Sequence, residues 1–124
     1  MSIERFESPL GLPFSRMVRA NGFVFFSGQI PMDEQGQVVR GEIRTQTHAV
    51  MSRIGESLAE LGLSYADVVK ATVWLSDLQL FADFNEVYAS YVKGGLPARS
   101  TVEAKLALGV DLEVEIIAVD RKEA

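Results

Sequence analysis

The chain has 124 residues, 48% of them hydrophobic and 23% charged, with no cysteine and a single histidine, His48. That length suits one compact domain, residues 1–124, able to bury a core without staples. Twelve Lys and Arg against seventeen Asp and Glu give a net charge of -5. Such a chain lacks the basic field that non-specific nucleic-acid binding requires. The missing cysteines exclude disulfides, thiol catalysis and thiolate metal sites.

The opening Met1-Ser2-Ile3-Glu4-Arg5-Phe6-Glu7 has no apolar signal core. The longest apolar runs, Phe23–Phe26 and Ile116–Val119, fall far short of the roughly 20 residues of a membrane span. A soluble cytoplasmic protein without membrane contact is expected. Strands are predicted over Met17–Ala20 and Phe23–Ser27, joined at Asn21-Gly22, a dipeptide that accepts the positive φ angles of a tight hairpin. A turn-rich stretch follows from Pro31 to Gly41. From Glu42 to Leu61, residues Ile43, Thr47, Val50, Met51, Ile54, Leu58 and Leu61 fall on one helical stripe, and Gly62 stands where a left-handed cap is expected.

Val68–Ser76 alternates in the manner of a strand, with Val69, Ala71, Val73 and Leu75 on one side and Lys70, Thr72, Trp74 and Ser76 on the other. A second helix is predicted from about Leu80 to Val92, with Phe81, Phe84, Tyr88 and Tyr91 on a core-facing stripe; Gly94-Gly95 and Pro97 stop it. Strands over Ala98–Ala104 and Leu112–Asp120, with a turn near Leu108-Gly109, close the chain. The order β-β-α-β-α-β-β predicts a two-layer α+β domain, a mixed sheet with both helices on one face. An apolar second face would call for oligomerisation.

Several kinds of site are absent: no nucleophile elbow, phosphate-binding loop or dinucleotide fingerprint, and no His/Cys set with metal-ligand spacing. His48 falls within a helix and reads as a surface residue without a role. Chemistry therefore rests on carboxylates, an arginine, hydroxyls, backbone groups and water. Alternation places Arg99, Thr101 and Glu103 on one side of their strand, and Glu113 and Glu115 on one side of the last. An arginine fork holds a small carboxylate in bidentate fashion, and a nearby glutamate can orient or deprotonate a water. The plainer reading is a cross-strand ion pair on a solvated face.

Five segments in order, Ser27-Gly28-Gln29-Ile30-Pro31, Asp67-Val68-Val69-Lys70-Ala71-Thr72-Val73, Phe84-Asn85-x-x-Tyr88, Pro97-Ala98-Arg99-Ser100-Thr101-Val102-Glu103 and Leu112-Glu113-Val114-Glu115, resemble the Rid (YjgF) family of enamine/imine deaminases over nearly the whole chain. The resemblance implies a chorismate-mutase-like fold and a homotrimer with clefts between subunits, using neither metal nor organic cofactor. It implies hydrolysis of 2-imino acids, or their 2-aminoacrylate-type enamine tautomers, to 2-oxo acids and ammonia. Arg99 would clamp the substrate carboxylate, and Glu113, preferred to Glu115 as the first of the Glu-x-Glu pair, would hold the attacking water. Phe14, Ser27, Gly28, Asn85 and Thr101 would line the pocket.

The chain departs from the family pattern at Phe14, where tyrosine is usual, at Thr101 in place of cysteine, at Leu106-Ala107 in place of Leu-Pro, and at Arg53 in place of asparagine. Two other readings stand beside the deaminase: a non-catalytic trimeric module for 2-oxo acids or similar carboxylates, and an RNA-directed ribonuclease or translation inhibitor. The acidic composition opposes the latter.

Overall fold

Residues 2–120 are described by a computed structural model. The elements run β1 (Ile3–Glu7), β2 (Ser15–Ala20), β3 (Phe23–Phe26), α1 (Ile43–Glu60), β4 (Val68–Leu75), α2 (Phe81–Val92), β5 (Ala98–Glu103) and β6 (Leu112–Val119). The strands form one sheet in the order β1-β2-β3-β6-β4-β5. Among the described residues, β4 and β5 are the one parallel pair; every other neighbouring pair is antiparallel. Both helices cover one face, and the fold is two-layer α+β as the order of elements predicts.

Local chemistry sets the punctuation. Asn21 and Gly22 take φ of 53° and 81° between β2 and β3, the two positive angles of a type I′ hairpin. α1 ends in a Schellman cap: the Leu63 amide donates to the Leu58 carbonyl and the Gly62 amide to the Ala59 carbonyl, both at 3.0 Å, with Gly62 at φ 72°. A side chain at that φ meets the preceding backbone. Gly62→Ala is expected to cost about 1 kcal/mol in urea unfolding with the m-value unchanged.

The predicted stripe of α1 is buried from Ile43 to Leu58 and packs on the core-facing residues of the central strands, among them Val73, Leu112, Val114 and Ile116. Gln46 lies on the same stripe and is also buried. Its amide donates to the Gly41 carbonyl and to Asp111 Oδ2, its Oε1 accepts from the Asp111 amide, all at 2.9 Å, and Ser76 Oγ donates to Asp111 Oδ1. This bonded cluster fixes the turn from which β6 departs.

The structure differs from the sequence reading in four places. β1 is an additional edge strand; its residues are exposed apart from Phe6, so no alternation announces it. In β4 the register shifts between Val68 and Lys70, and this bulge buries Val68 while leaving Val69 exposed. Phe81 is not core but 39% exposed, whereas Phe84 and Tyr88 are buried. His48 has a partner: its Nδ1 lies 2.6 Å from the Tyr91 hydroxyl, joining α1 to α2. Among the described residues no helix is long and apolar enough to cross a membrane.

Candidate functional site

Register partners in neighbouring strands share a sheet face. Arg99 pairs with Ala71 and Thr101 with Val73, and both partners are fully buried under the helices. Arg99 and Thr101 therefore face the helix layer, at the sheet edge formed by β5. There the Arg99 guanidinium lies over three rings of α2, with its carbon 5.5 Å from the centroids of Phe81 and Phe84 and 5.0 Å from that of Tyr88. The aromatic faces hold the cation without neutralising it. Arg99 has no ion pair among the described residues, so the cross-strand pair of the plainer reading is not formed; Glu103 instead accepts the Leu78 amide at 2.9 Å.

Beside the guanidinium, Asn85, Tyr88, Ala89, Leu96, Pro97 and Arg99 line a shallow cavity of about 230 Å³. Among the described residues, two buried polar atoms of its lining, Asn85 Oδ1 and Tyr88 Oη, have no hydrogen-bond partner, and neither has Thr101 Oγ1, two residues along β5 on the same side as Arg99. An unmade buried hydrogen bond costs about 1–3 kcal/mol, and their placement beside one uncompensated cation marks a place built for something other than stability. Burial pushes the Tyr88 phenol up, against a smaller opposing effect of Arg99, which keeps it a neutral donor. The core-facing stripe accounts for the Tyr88 ring but not for its hydroxyl; the position of Tyr88 one helical turn after Asn85, within the Phe84-Asn85-x-x-Tyr88 segment, is the sequence signal for it.

Glu113 lies elsewhere. It pairs with Trp74, and its strand neighbours Leu112 and Val114 are buried on the helix side, so Glu113 occupies the opposite, helix-free face. The backbone of Gly28 lies against its carboxylate so closely that a Cβ there would overlap Glu113 Oε2. The segment is held by two bonds between Gln29 and Val114, at 2.8 and 3.0 Å. Burial pushes the Glu113 carboxyl above the ordinary value of 4.5, and Glu115 adds to the rise. Glu115 itself is exposed, and the geometry favours Glu113 as the carboxylate in a structured setting.

The remaining sequence-predicted residues divide. Ser27 Oγ donates to the Ser15 carbonyl at 2.6 Å and ties its loop to β2. Phe14 is 54% exposed, on a loop with exposed Leu10 and Leu12, and does not line the Arg99 cavity. Within one chain, then, Arg99 and Asn85 line one cavity with Thr101 on the same side of the sheet, Gly28 and Glu113 come together, and the two groups stand on opposite sheet faces. Beside these glutamates the helix-free face carries exposed apolar side chains: Phe23, Phe25 and Val102 are 39%, 45% and 44% exposed. Among the described residues no three His, Cys, Asp or Glu side chains are grouped to hold a metal ion.

The family model described as Endoribonuclease L-PSP matches residues 8–120. The chain belongs to this family. A RutC family protein of Pyrococcus abyssi is 44% identical over 117 residues, covering 93% of this chain and 91% of the relative. The Arabidopsis thaliana protein named Reactive Intermediate Deaminase A, chloroplastic, is 40% identical over 120 residues, 95% of this chain and 64% of the relative. The crystal structure of yeast Mmf1 superposes with a TM-score of 0.90 at 37% identity, covering 97% of this chain and all of that one. The family fold is the chorismate-mutase-like arrangement that the resemblance implied.

Proposed function

We propose that the protein hydrolyses small 2-imino acids, and their 2-aminoacrylate-type enamine tautomers, to 2-oxo acids and ammonia. The observation that carries this reading is the uncompensated Arg99 guanidinium at the mouth of a small cavity, on a chain related to a named reactive intermediate deaminase. A planar fork binds a substrate carboxylate through two parallel bonds. The iminium carbon next to that carboxylate is already electrophilic, so catalysis needs only a positioned water and one group that moves protons. Glu113 takes a proton from the water as the water oxygen adds to the iminium carbon, then returns it to nitrogen. As the C–N bond breaks and ammonia leaves, the hydroxyl proton passes back to the Glu113 carboxylate, forming the carbonyl of the 2-oxo acid, and from there to ammonia or solvent. A carboxyl raised above its ordinary value suits both directions of transfer.

Arg99 and Glu113 meet on one substrate only if they come from two copies of the chain. A closed homotrimer does this: it covers the exposed apolar side chains of the helix-free face and brings Glu113 and Gly28 of one copy against Arg99, Asn85 and Thr101 of the next. The substrate-binding role assigned to Phe14 then rests on its loop reaching a neighbouring copy. No organic cofactor or metal enters this scheme, and the compartment proposed is the cytoplasm.

The test is the decay of enzymatically generated 2-iminopropanoate, with semicarbazide trapping in competition with hydrolysis. Faster pyruvate release with the protein supports the reading; no acceleration with this or larger imino acids rejects it. The family's description favours a second reading, RNA cleavage. Paired glutamates on the helix-free face and a net charge of -5 oppose a phosphate backbone, and RNA cleavage in the absence of imine turnover would reverse the preference.

A further inference from the structure

Arg53 projects from α1 to the loop that follows β3. Its Nη1 donates to the Ile30 carbonyl at 2.8 Å. The position is half-buried, and burial lowers the pKa of the guanidinium against the opposing charge of Glu56. A charged group kept at a desolvation cost to hold one loop carbonyl calls for an explanation in terms of what that loop does. One residue before Ile30, Gln29 is bonded in both directions to Val114. Two residues before it, Gly28 closes over the Glu113 carboxylate. The loop is thus pinned to β2 at Ser27, to β6 at Gln29 and to the helix layer at Ile30, and it forms one wall around Glu113.

We propose that Arg53 is a positioning residue for Glu113: through Ile30 it holds the Ser27–Pro31 loop against β6, and so sets the place and the solvent access of the carboxylate. The proposal deepens the imino-acid reading and rests on it for its catalytic consequence, though not for its structural one. Few groups compete for control of Glu113. Along β6 the charged neighbour on its face is Glu115; across in β4 its register partner is Trp74, with Thr72 opposite Glu115 and Lys70 further off, opposite Ile117; the loop brings the backbone of Gly28 against it. Releasing Ile30 therefore acts on Glu113 mainly by letting water in.

Arg53→Met keeps the apolar stem and removes the donor; Arg53→Lys keeps the stem and returns a single charged donor at its end. With 2-iminopropanoate, Arg53→Met is expected to lower kcat about 10- to 100-fold, the scale of a small misplacement of a catalytic group. KM should stay within about twofold, since the carboxylate clamp, Arg99 of the neighbouring copy, is held by the rings of its own α2 and not by this loop. The acid limb of the kcat profile should move down toward pH 4.5, the ordinary carboxylate value, and Arg53→Lys should recover most of both losses. Carbon-13 NMR titration of the Glu113 carboxyl reads the same coupling without substrate. Its midpoint should lie above 4.5 in the parent and fall toward 4.5 in Arg53→Met. If the parent turns over no imine but this titration shifts as stated, the imino-acid reading fails and the positioning role stands. If Arg53→Met leaves the Glu113 titration unchanged, the positioning role is wrong, whatever becomes of activity. A lower Tm with kcat and titration both unchanged overturns it equally.

Discussion

Replacing Arg99 by methionine should lower kcat/KM for a 2-imino acid by about 10³-fold, within a range of 10²–10⁴, while leaving the fold intact. The magnitude follows from two charge-assisted bonds to the substrate carboxylate, each worth about 1.5–3 kcal/mol and lost together. The fold survives because Arg99 forms no ion pair among the described residues and contributes through its contacts with Phe81, Phe84 and Tyr88. Methionine packs favourably on the same rings. Steady-state kinetics and a thermal melt check the two halves separately. A folded Arg99→Met protein with parental kcat/KM would remove the clamp from the account.

Glu113→Gln should have an effect of similar size and different form. General acid–base catalysis contributes about 10²- to 10⁴-fold, so kcat should fall by that factor while affinity for a 2-oxo acid, measured by calorimetry, holds. This variant also separates the enzyme from a carboxylate-binding module, for which Glu113 would carry no turnover. Stability should move the other way. The folded state raises the Glu113 pKa above 4.5, so ionised Glu113 disfavours the fold once the pH exceeds its folded value, and below 4.5 the carboxyl is neutral in both states. Glu113→Gln should therefore melt at or above the parental temperature at neutral pH, with no advantage in acid. In active protein, Glu115→Gln should shift the acid limb of the kcat profile downward, because it removes the like charge that adds to the rise.

Features encoded by a few adjacent residues were legible in the sequence. The Asn21-Gly22 hairpin and the Gly62 cap require backbone angles that those residues supply, and the stripe from Ile43 to Leu58 buries as its spacing predicts. β1 left no trace because an exposed edge strand needs no apolar alternation. Gln46 is a polar residue on an apolar stripe, and that conflict is itself the signal: a polar side chain there is buried only if bonded, as it is to Gly41 and Asp111.

The site was legible in its halves but not in its assembly. Alternation placed Arg99 with Thr101 and Glu113 with Glu115. Which sheet face each pair occupies depends on the parallel pairing of β4 with β5 and on β6 lying between β3 and β4. Those contacts are distant in sequence and unmarked by spacing. The Tyr88 hydroxyl was hidden for a related reason: an aromatic on a buried stripe reads as core whether or not its polar end is bonded.

The central claim is that Arg99 and Glu113 act on one substrate from two copies of the chain, and subunit mixing tests it most directly. Arg99→Met and Glu113→Gln proteins, each inactive alone, are unfolded together at equal concentration, refolded, and assayed on 2-iminopropanoate. In a closed ring, the mixture should recover about a quarter of parental activity, the fraction of interfaces that join an intact arginine to an intact glutamate. If the parent is active and the mixed protein is not, the two residues do not share a site between copies, and the account of this protein is contradicted.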